Sequence, residues 1–172
     1  MPNQPRRSAS AGLIRLLTPD DLQAVVDLSL SAWEPVFVSF ENILGTAIFG
    51  HLYRPDWREA QAAEVRKKCL AETCESFVLT TADGGVVGFL VLAQDSNQSL
   101  GIIEMVAVHP THQRRGHASA LMRFAIQRLS DRGLALINVG TGGDQGHAPA
   151  RALYESLGFI GVPLVNYYIA NE

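Results

Sequence analysis

The feature that most constrains this chain is the succession of apolar and polar segments between residues 101 and 139. An apolar stretch ends at Pro110, a polar loop follows, and apolar residues then recur at helical spacing from Ala118 to Leu129. Gly133 can end that helix, and the continuous apolar run at 134–139 is typical of a buried parallel strand. The sequence therefore predicts a strand–helix–strand unit with a right-handed crossover.

The segments on either side of this unit predict further elements. Residues 18–21 (Thr-Pro-Asp-Asp) suit the capped start of one helix, and Asp56 can cap a second that ends near residue 72. A turn at 82–85 joins two β-rich segments into an antiparallel hairpin. The remaining expectations are a strand at 13–17, a helix from Pro149 to Gly158 and one or two strands within 159–169, whereas 33–54 has no clear assignment. We expect an α/β fold, more narrowly an α+β mixed sheet with helices on it.

Composition and charge bound the class of protein. A length of 172 residues, 47% of them hydrophobic, suits one core, so we expect a single domain at 13–172 after a disordered polar tail at 1–12. The net charge of −3 argues against a nucleic-acid-binding surface. No apolar run reaches the roughly 18 residues that span a bilayer, and no signal peptide is visible, so we expect no membrane partner and a cytoplasmic location. Cys69 and Cys74 lack a second pair, so we expect no metal.

The loop between strand and helix, Gln113-Arg114-Arg115-Gly116-His117-Ala118, has the properties of an anion site. The first N–H groups of a helix have no internal partner and lie at the positive end of its dipole. Gly116 allows close approach, and the two arginines can add charge-assisted hydrogen bonds. A plain helix start with two solvated arginines is the alternative. The sequence has neither the phosphate-loop nor the dinucleotide glycine pattern.

This loop also matches Gln/Arg-x-x-Gly-x-Gly/Ala, the acetyl-CoA signature of the GCN5-related N-acetyltransferases (GNAT). The strand Glu104–Pro110 resembles the fourth strand of that family, and Ala150–Phe159 resembles its late helix, Ala-x-x-Leu-Tyr-x-x-x-Gly-Phe. The resemblance covers roughly residues 86–169, and the residues before it match only in the order of elements. It implies a mixed sheet in which one pair of parallel strands splays apart.

The resemblance implies an enzyme that transfers an acetyl group from acetyl-CoA to a primary amine of a small molecule or peptide, by direct attack on the thioester. The splayed strand would hold the pantetheine arm and the loop N–H groups the pyrophosphate. His147 stands where family members often carry asparagine, and it can also donate and accept hydrogen bonds. The coenzyme contacts implied are Val106, Ala107, Val108, Gln113, Arg114, Arg115, Gly116, His117, Ala118, Ser119 and His147.

Acyl transfer requires an amine without its extra proton, donors for the oxyanion and help for the leaving thiolate. Glu104 is the candidate base, because it is the only acid within 102–108 and the family often carries one near this place. Tyr154 matches the family's tyrosine and is the candidate acid toward the sulfur. His147, in a glycine-rich loop, is a rival base.

Several questions stay open at the level of sequence. Trp33, Phe37 and Tyr53 lie in the region that covers the acceptor site in related folds, and we expect them to contact the acceptor, with core packing as the alternative. The Glu104 and Tyr154 pair favours an enzyme over a catalytically silent acyl-CoA-binding sensor or a purely structural module. The aromatic end of the chain can pair with another chain, which makes a homodimer a further expectation. The sequence identifies neither the acceptor nor the length of the acyl group.

Overall fold

A computed structural model of the protein describes residues 12–171, so the tail expected at 1–12 lies outside the described residues except for Gly12. The centre is a five-stranded sheet in the order β1-β2-β3-β4-β5. Neighbours from β1 to β4 pair antiparallel, and β4 pairs with β5 in parallel, which confirms the expected mixed sheet. The strands are β1 (Leu13–Leu16), β2 (Cys74–Thr80), β3 (Val86–Asp95), β4 (Leu100–Val108) and β5 (Leu136–Val139).

The described α-helices are α1 (Leu22–Leu52), α2 (Trp57–Leu70), α3 (His117–Ser130) and α4 (Ala148–Ser156). Both predicted caps are present. Before α1, the Asp21 carboxylate accepts from the backbone N–H of Thr18 at 2.8 Å and from Arg15 Nη1 at 2.6 Å. At the start of α2, Asp56 Oδ1 accepts from the backbone N–H of Arg58 at 2.7 Å.

The stretch at 33–54 that had no clear assignment is the continuation of α1. Gly45 has φ 73° and ψ 161° there, so α1 consists of two helical segments joined at a kink. Glycine adopts a positive φ without the clash that a Cβ would make. Because this glycine interrupts the helical periodicity, the pattern of residues alone did not reveal the helix.

Each face of the sheet has its own apolar core. Helix α3 packs on one face and contacts Leu90 and Leu92 of β3, whereas α1 and α2 pack on the other face against Phe89 and Val91. All four β3 side chains are at most 1% exposed. The alternation of side chains along β3 therefore serves two cores, and this central strand fixes the position of the elements on both faces.

The strands expected within 159–169 are not formed, and that prediction was wrong. Residues 159–171 have no regular secondary structure, and their large apolar side chains face solvent: Ile160 is 94% and Leu164 85% exposed. A β-rich composition becomes a strand only where a sheet edge pairs with it. Within the described residues, β5 pairs with β4 alone.

None of the helices within residues 12–171 is long and apolar enough to cross a membrane. Across the same part of the chain, no three His, Cys, Asp or Glu side chains are grouped so that they could hold a metal ion. Cys69 and Cys74 are free thiols.

Candidate active site

A cleft of about 830 Å³ opens where β4 and β5 part. The two strands pair from Leu100 and Leu136 as far as Ile103 and Val139. Strand β5 ends there, whereas β4 continues through residues 104–108, and within residues 12–171 no strand lies beside them on that side. Unpaired N–H and C=O groups along such an edge can bind an extended ligand as they would bind another strand.

A β-bulge bends β4 where the strands part. Leu92 pairs with Ile103 and Val91 pairs with Met105, which leaves Glu104 as the extra residue. A bulge increases the local twist and re-aims the side chain of the inserted residue. It thus separates β4 from β5 and places Glu104 in the lining of the cleft.

Glu104 is paired across the sheet with a residue that the sequence did not indicate. Lys68 of α2 donates from Nζ to Glu104 Oε2 at 2.8 Å, and the two side chains are 27% and 24% exposed. The hydrogen bond to Glu104 raises the pKa of Lys68, against the opposing effect of burial. Lys68 therefore stays an ammonium, and one oxygen of Glu104 is engaged before any ligand enters.

The glycine loop has the geometry of an anion site. Gly116 has φ 85° and ψ −1°, and α3 begins directly after it at His117. Arg114 also has a positive φ, 60°, which is uncommon for a residue with a side chain. Gln113 Nε2 donates to the carbonyl oxygen of Val108 at 3.0 Å and ties the loop to the end of β4. The free N–H groups of α3 thus lie beside the splayed strand.

Tyr154 reaches the cleft from α4. Burial raises the pKa of its phenol to about 12, so the hydroxyl stays protonated throughout the neutral range. The ring packs against Phe159 with centroids 6.1 Å apart and against the core of the α3 face. Packing thus holds the ring of Tyr154 in place, and its protonated hydroxyl can donate a hydrogen bond, as the predicted role toward the sulfur requires.

His147 also lines the cleft, and its ring contacts Phe40 of α1 with centroids 5.5 Å apart. Its Nδ1 lies 2.5 Å from Oδ1 of Asp144, and Asp144 is a partner that the sequence analysis missed. A signal was present, because an aspartate followed by glycine two residues later is a common turn start. Nothing in the sequence showed that this turn would line the same cleft as the glycine loop.

The aromatic residues expected at the acceptor site divide into two groups. Trp33 lines the cleft. Phe37, only 6% exposed, stacks on Trp57 with centroids 4.3 Å apart and meets Tyr53 edge to face at 5.1 Å. Phe37 and Tyr53 thus belong to an aromatic cluster between α1 and α2, and their contact with an acceptor stays a prediction.

The cleft brings together most of the residues singled out from sequence. Arg115, Phe37 and Tyr53 are not part of its lining. The predicted residues that do line it are Trp33, Glu104, Val106, Ala107, Val108, Gln113, Arg114, Gly116, His117, Ala118, Ser119, His147 and Tyr154.

The family model of the acetyltransferase (GNAT) family matches residues 39–159, which include the splayed strand, the glycine loop and α4. The chain belongs to the GNAT acetyltransferases. The resemblance noted in the sequence is thereby confirmed, and so is the expected class of enzyme. The match also begins at residue 39, within α1, well before the residues that carried the resemblance.

Solved structures confirm the GNAT fold. The ribosomal-protein-S18-alanine N-acetyltransferase from Escherichia coli is 24% identical, with a TM-score of 0.62 over 88% of this chain and 79% of that one. The PaiA N-acetyltransferase from Thermoplasma acidophilum, solved with coenzyme A, is 15% identical, with a TM-score of 0.64 over 87% and 90%. AAC(6')-Iy, solved with the bisubstrate analogue CoA-S-monomethyl-acetylneamine, is 18% identical, with a TM-score of 0.57 over 94% and 99%. No curated protein matches the chain significantly.

Proposed function

We propose that this GNAT protein transfers the acetyl group of acetyl-CoA to a primary amine of a small molecule or peptide. The observation that carries the proposal is the continuous path from the unpaired edge of β4 to the free N–H groups at the start of α3. An extended amide-containing arm fits the first part of this path, and a pyrophosphate fits the second. Pantetheine and pyrophosphate are joined in this order in coenzyme A.

The coenzyme contacts follow from this path. The backbone of Val106, Ala107 and Val108 pairs with the pantetheine amides. The N–H groups from Gln113 to Ser119 bind the pyrophosphate. This arrangement needs no metal, because the helix terminus and the arginines supply the positive charge.

The transfer itself is a direct attack. The amine nitrogen attacks the thioester carbonyl, the C–N bond forms, the C–S bond breaks and the electron pair goes to the sulfur. Tyr154 then faces a thiolate. A thiol has an ordinary pKa of roughly 8.5, whereas the phenol of Tyr154 has a pKa of about 12. Complete proton transfer from the phenol to the thiolate is therefore unfavourable by ~5 kcal/mol. Tyr154 therefore stabilises the thiolate by donating a hydrogen bond, and the thiolate takes its proton from solvent.

The proton of the attacking amine needs a separate acceptor. Glu104 and His147 both line the cleft and are the groups that can take it. The sequence prediction that Glu104 acts as base stays a prediction. Because Lys68 already donates a hydrogen bond to Oε2 of Glu104, action of Glu104 through a water molecule is favoured over direct contact with the amine.

A thermal-shift measurement with acetyl-CoA, followed by a free-thiol release assay, tests the proposal. The acceptors are a hexapeptide with an N-terminal alanine, a hexapeptide with an internal lysine, and neamine. We expect stabilisation by acetyl-CoA and thiol release with at least one amine. Stabilisation without release from any amine would instead support the acyl-CoA-binding sensor. Absence of stabilisation by acetyl-CoA would contradict both the acetyltransferase and the sensor.

We also propose that the protein forms a homodimer through residues 159–171. This segment exposes several large apolar side chains, among them Val162, Leu164 and Tyr167 at 78%, 85% and 91% exposure. A monomer rarely leaves so continuous an apolar surface in water. Strand β5 of the same chain has one unpaired edge within the described sheet. In a dimer with two-fold symmetry, residues 159–171 of each copy pair with the free edge of β5 in the other copy. One contact then covers both the apolar segment and the unpaired edge.

A further inference from the structure

The turn beside the cleft holds a histidine and an aspartate in a fixed relation. Asp144 caps the short 3-10 turn Gln145–His147 by accepting from the backbone N–H of Gly146 at 2.9 Å. Its other oxygen, Oδ1, lies 2.5 Å from Nδ1 of His147. The two side chains are only 6% and 15% exposed. A carboxylate on Nδ1 keeps the proton there and leaves the lone pair on Nε2.

Other elements hold the aspartate in place. Arg151 of α4 donates from Nη1 to the carbonyl oxygens of Gly142 and Asp144, at 2.6 and 2.7 Å. Burial opposes ionisation, but the hydrogen bond with His147 and the nearby hydroxyl of Ser39 in α1 keep the pKa of Asp144 below its ordinary value. Asp144 is therefore a carboxylate wherever a histidine titrates.

The glycines of this loop make room for the pair. A Cβ on Gly142 would collide with Nδ1 of His147 and with the Asp144 carboxylate, and a Cβ on Gly146 would lie 2.9 Å from Asp144 Oδ2 and from Val36 Cα. Approaches below 3.0 Å require something to shift. The backbone thus closes tightly around the pair at Gly142 and Gly146, and these two glycines of the loop have a specific structural reason.

The remaining surroundings leave one nitrogen available. On the side of α1, the imidazole contacts the uncharged ring of Phe40. On the side of α4, the charged guanidinium of Arg151 donates its hydrogen bonds to the backbone carbonyl oxygens of Gly142 and Asp144. Nε2 of His147 makes no hydrogen bond to any of residues 12–171. Glu104, by contrast, enters the same cleft with Oε2 already bound to Lys68.

We propose that His147, oriented by the Asp144 carboxylate, is the general base of the acyl transfer. As the amine nitrogen bonds to the thioester carbon, its proton passes to Nε2, and the C–S electron pair leaves with the sulfur. Asp144 stays ionised, stabilises the imidazolium and acts as a positioning residue. His147 later releases the proton to solvent. The inference rests on the proposed acetyl transfer and names the group that removes the proton in it.

The first test does not depend on an acceptor. Long-range ¹H–¹⁵N spectra of the full chain report which ring nitrogen of each histidine carries the proton, and His147→Gln identifies the His147 signals. We expect the neutral ring to carry its proton on Nδ1 and Asp144→Asn to disturb that preference. A neutral His147 protonated on Nε2 would overturn the proposal, whatever becomes of the acetyl-transfer assignment.

The second test is kinetic and uses the amine that gives the fastest thiol release, between pH 5.5 and 9. His147→Gln is expected to lower kcat/KM about 10²- to 10⁴-fold, the usual range for a lost general base. The part of the acidic limb that the titration of the amine itself does not explain should disappear, because histidine is the side chain that ordinarily changes charge between pH 5 and 8. His147→Asn should behave alike while keeping acetyl-CoA affinity within about threefold, since an amide can replace the hydrogen bonds of an imidazole but not its basicity.

Asp144→Asn and Glu104→Gln distinguish the positioning role from the rival base. Asp144→Asn should lower kcat while changing KM for acetyl-CoA less than about threefold, because the imidazolium formed during transfer loses the carboxylate that stabilises it. Glu104→Gln should keep the limb, and His51→Gln, at an exposed histidine of α1, should behave as wild type. Loss of the limb in Glu104→Gln with its retention in His147→Gln would assign the base to Glu104 and leave the acetyl-transfer proposal standing.

Discussion

Replacing Tyr154 with phenylalanine tests how the leaving sulfur is stabilised. The aromatic ring and its contact with Phe159 are retained, so only the hydroxyl is lost. Burial alone shifts the pKa of this hydroxyl, and no residue within 12–171 hydrogen-bonds to it, so its removal leaves no protein partner unpaired. The substitution therefore isolates the interaction between the phenol and the bound coenzyme.

The size of the effect follows from the protonation state of the phenol. With a pKa of about 12, Tyr154 donates a hydrogen bond to the thiolate without giving up its proton. Hydrogen bonds to charged groups contribute about 1.5–3 kcal/mol, which corresponds to a decrease in kcat of roughly 10- to 150-fold. The thioester sulfur carries no charge before attack, so KM for acetyl-CoA should change less than about threefold. The pH profile between 6 and 9 should keep its shape, because this tyrosine does not titrate there.

The assay is free-thiol release from acetyl-CoA at saturating amine, with Tyr167→Phe as the matched control. Tyr167 is 91% exposed, and its replacement by phenylalanine removes only a hydroxyl while keeping the apolar ring that would take part in the proposed dimer contact, so this variant should retain wild-type kcat. An unchanged kcat in Tyr154→Phe would refute the role at the sulfur. The disappearance of a basic limb below pH 9 would refute the reasoning from the raised pKa, because it would mean that Tyr154 titrates in that range.

Three further predictions concern the coenzyme loop, the N-terminal ion pair and the assembly. Gly116→Ala places a side chain at φ 85°, which costs about 1–2 kcal/mol, and calorimetry should show weaker binding of acetyl-CoA. Gly133→Ala is the control, because Gly133 also has a positive φ but lies beyond the other end of α3. This control should destabilise the protein without weakening the binding of acetyl-CoA. Asp21→Ala should lower the free energy of unfolding in urea by about 2 kcal/mol at pH 7. The Arg15 guanidinium holds the pKa of Asp21 well below its ordinary value. The difference in unfolding free energy between wild type and Asp21→Ala should therefore be complete above about pH 4 and shrink as the pH falls below that value. A difference that does not depend on pH would contradict the role of the Arg15–Asp21 ion pair. In light scattering after gel filtration, the wild type should be a dimer and Leu164→Asp a monomer. A wild type that is monomeric at 50 μM, or a variant that stays dimeric, would contradict a dimer contact through residues 159–171.

Local physical chemistry was enough to predict much of the fold. The strand ending at Pro110, the helix from residue 117 and the strand near 134–139 were all predicted, because apolar periodicity and proline or glycine boundaries act over a few residues. The helix caps at residues 18–21 and at Asp56 followed from the same short-range rules. The glycine loop could be predicted as an anion site because one helix terminus supplies nearly all of its groups, and that role stays a prediction.

The sequence by itself thus determined the β–α–β unit and carried the resemblance to the family that the family model confirms. Only the tertiary structure decided the state of the groups in the cleft. Lys68 and Glu104 are 36 residues apart and meet because α2 packs across the sheet. Asp144 and His147 are neighbours in sequence, but their burial against α1 and the cleft depends on contacts more than a hundred residues apart. The same holds for residues 159–171, whose β-forming composition yields no strand because the segment pairs with no edge of the described sheet. Elements form through local preferences, whereas protonation, pairing and exposure depend on what the rest of the chain places beside them.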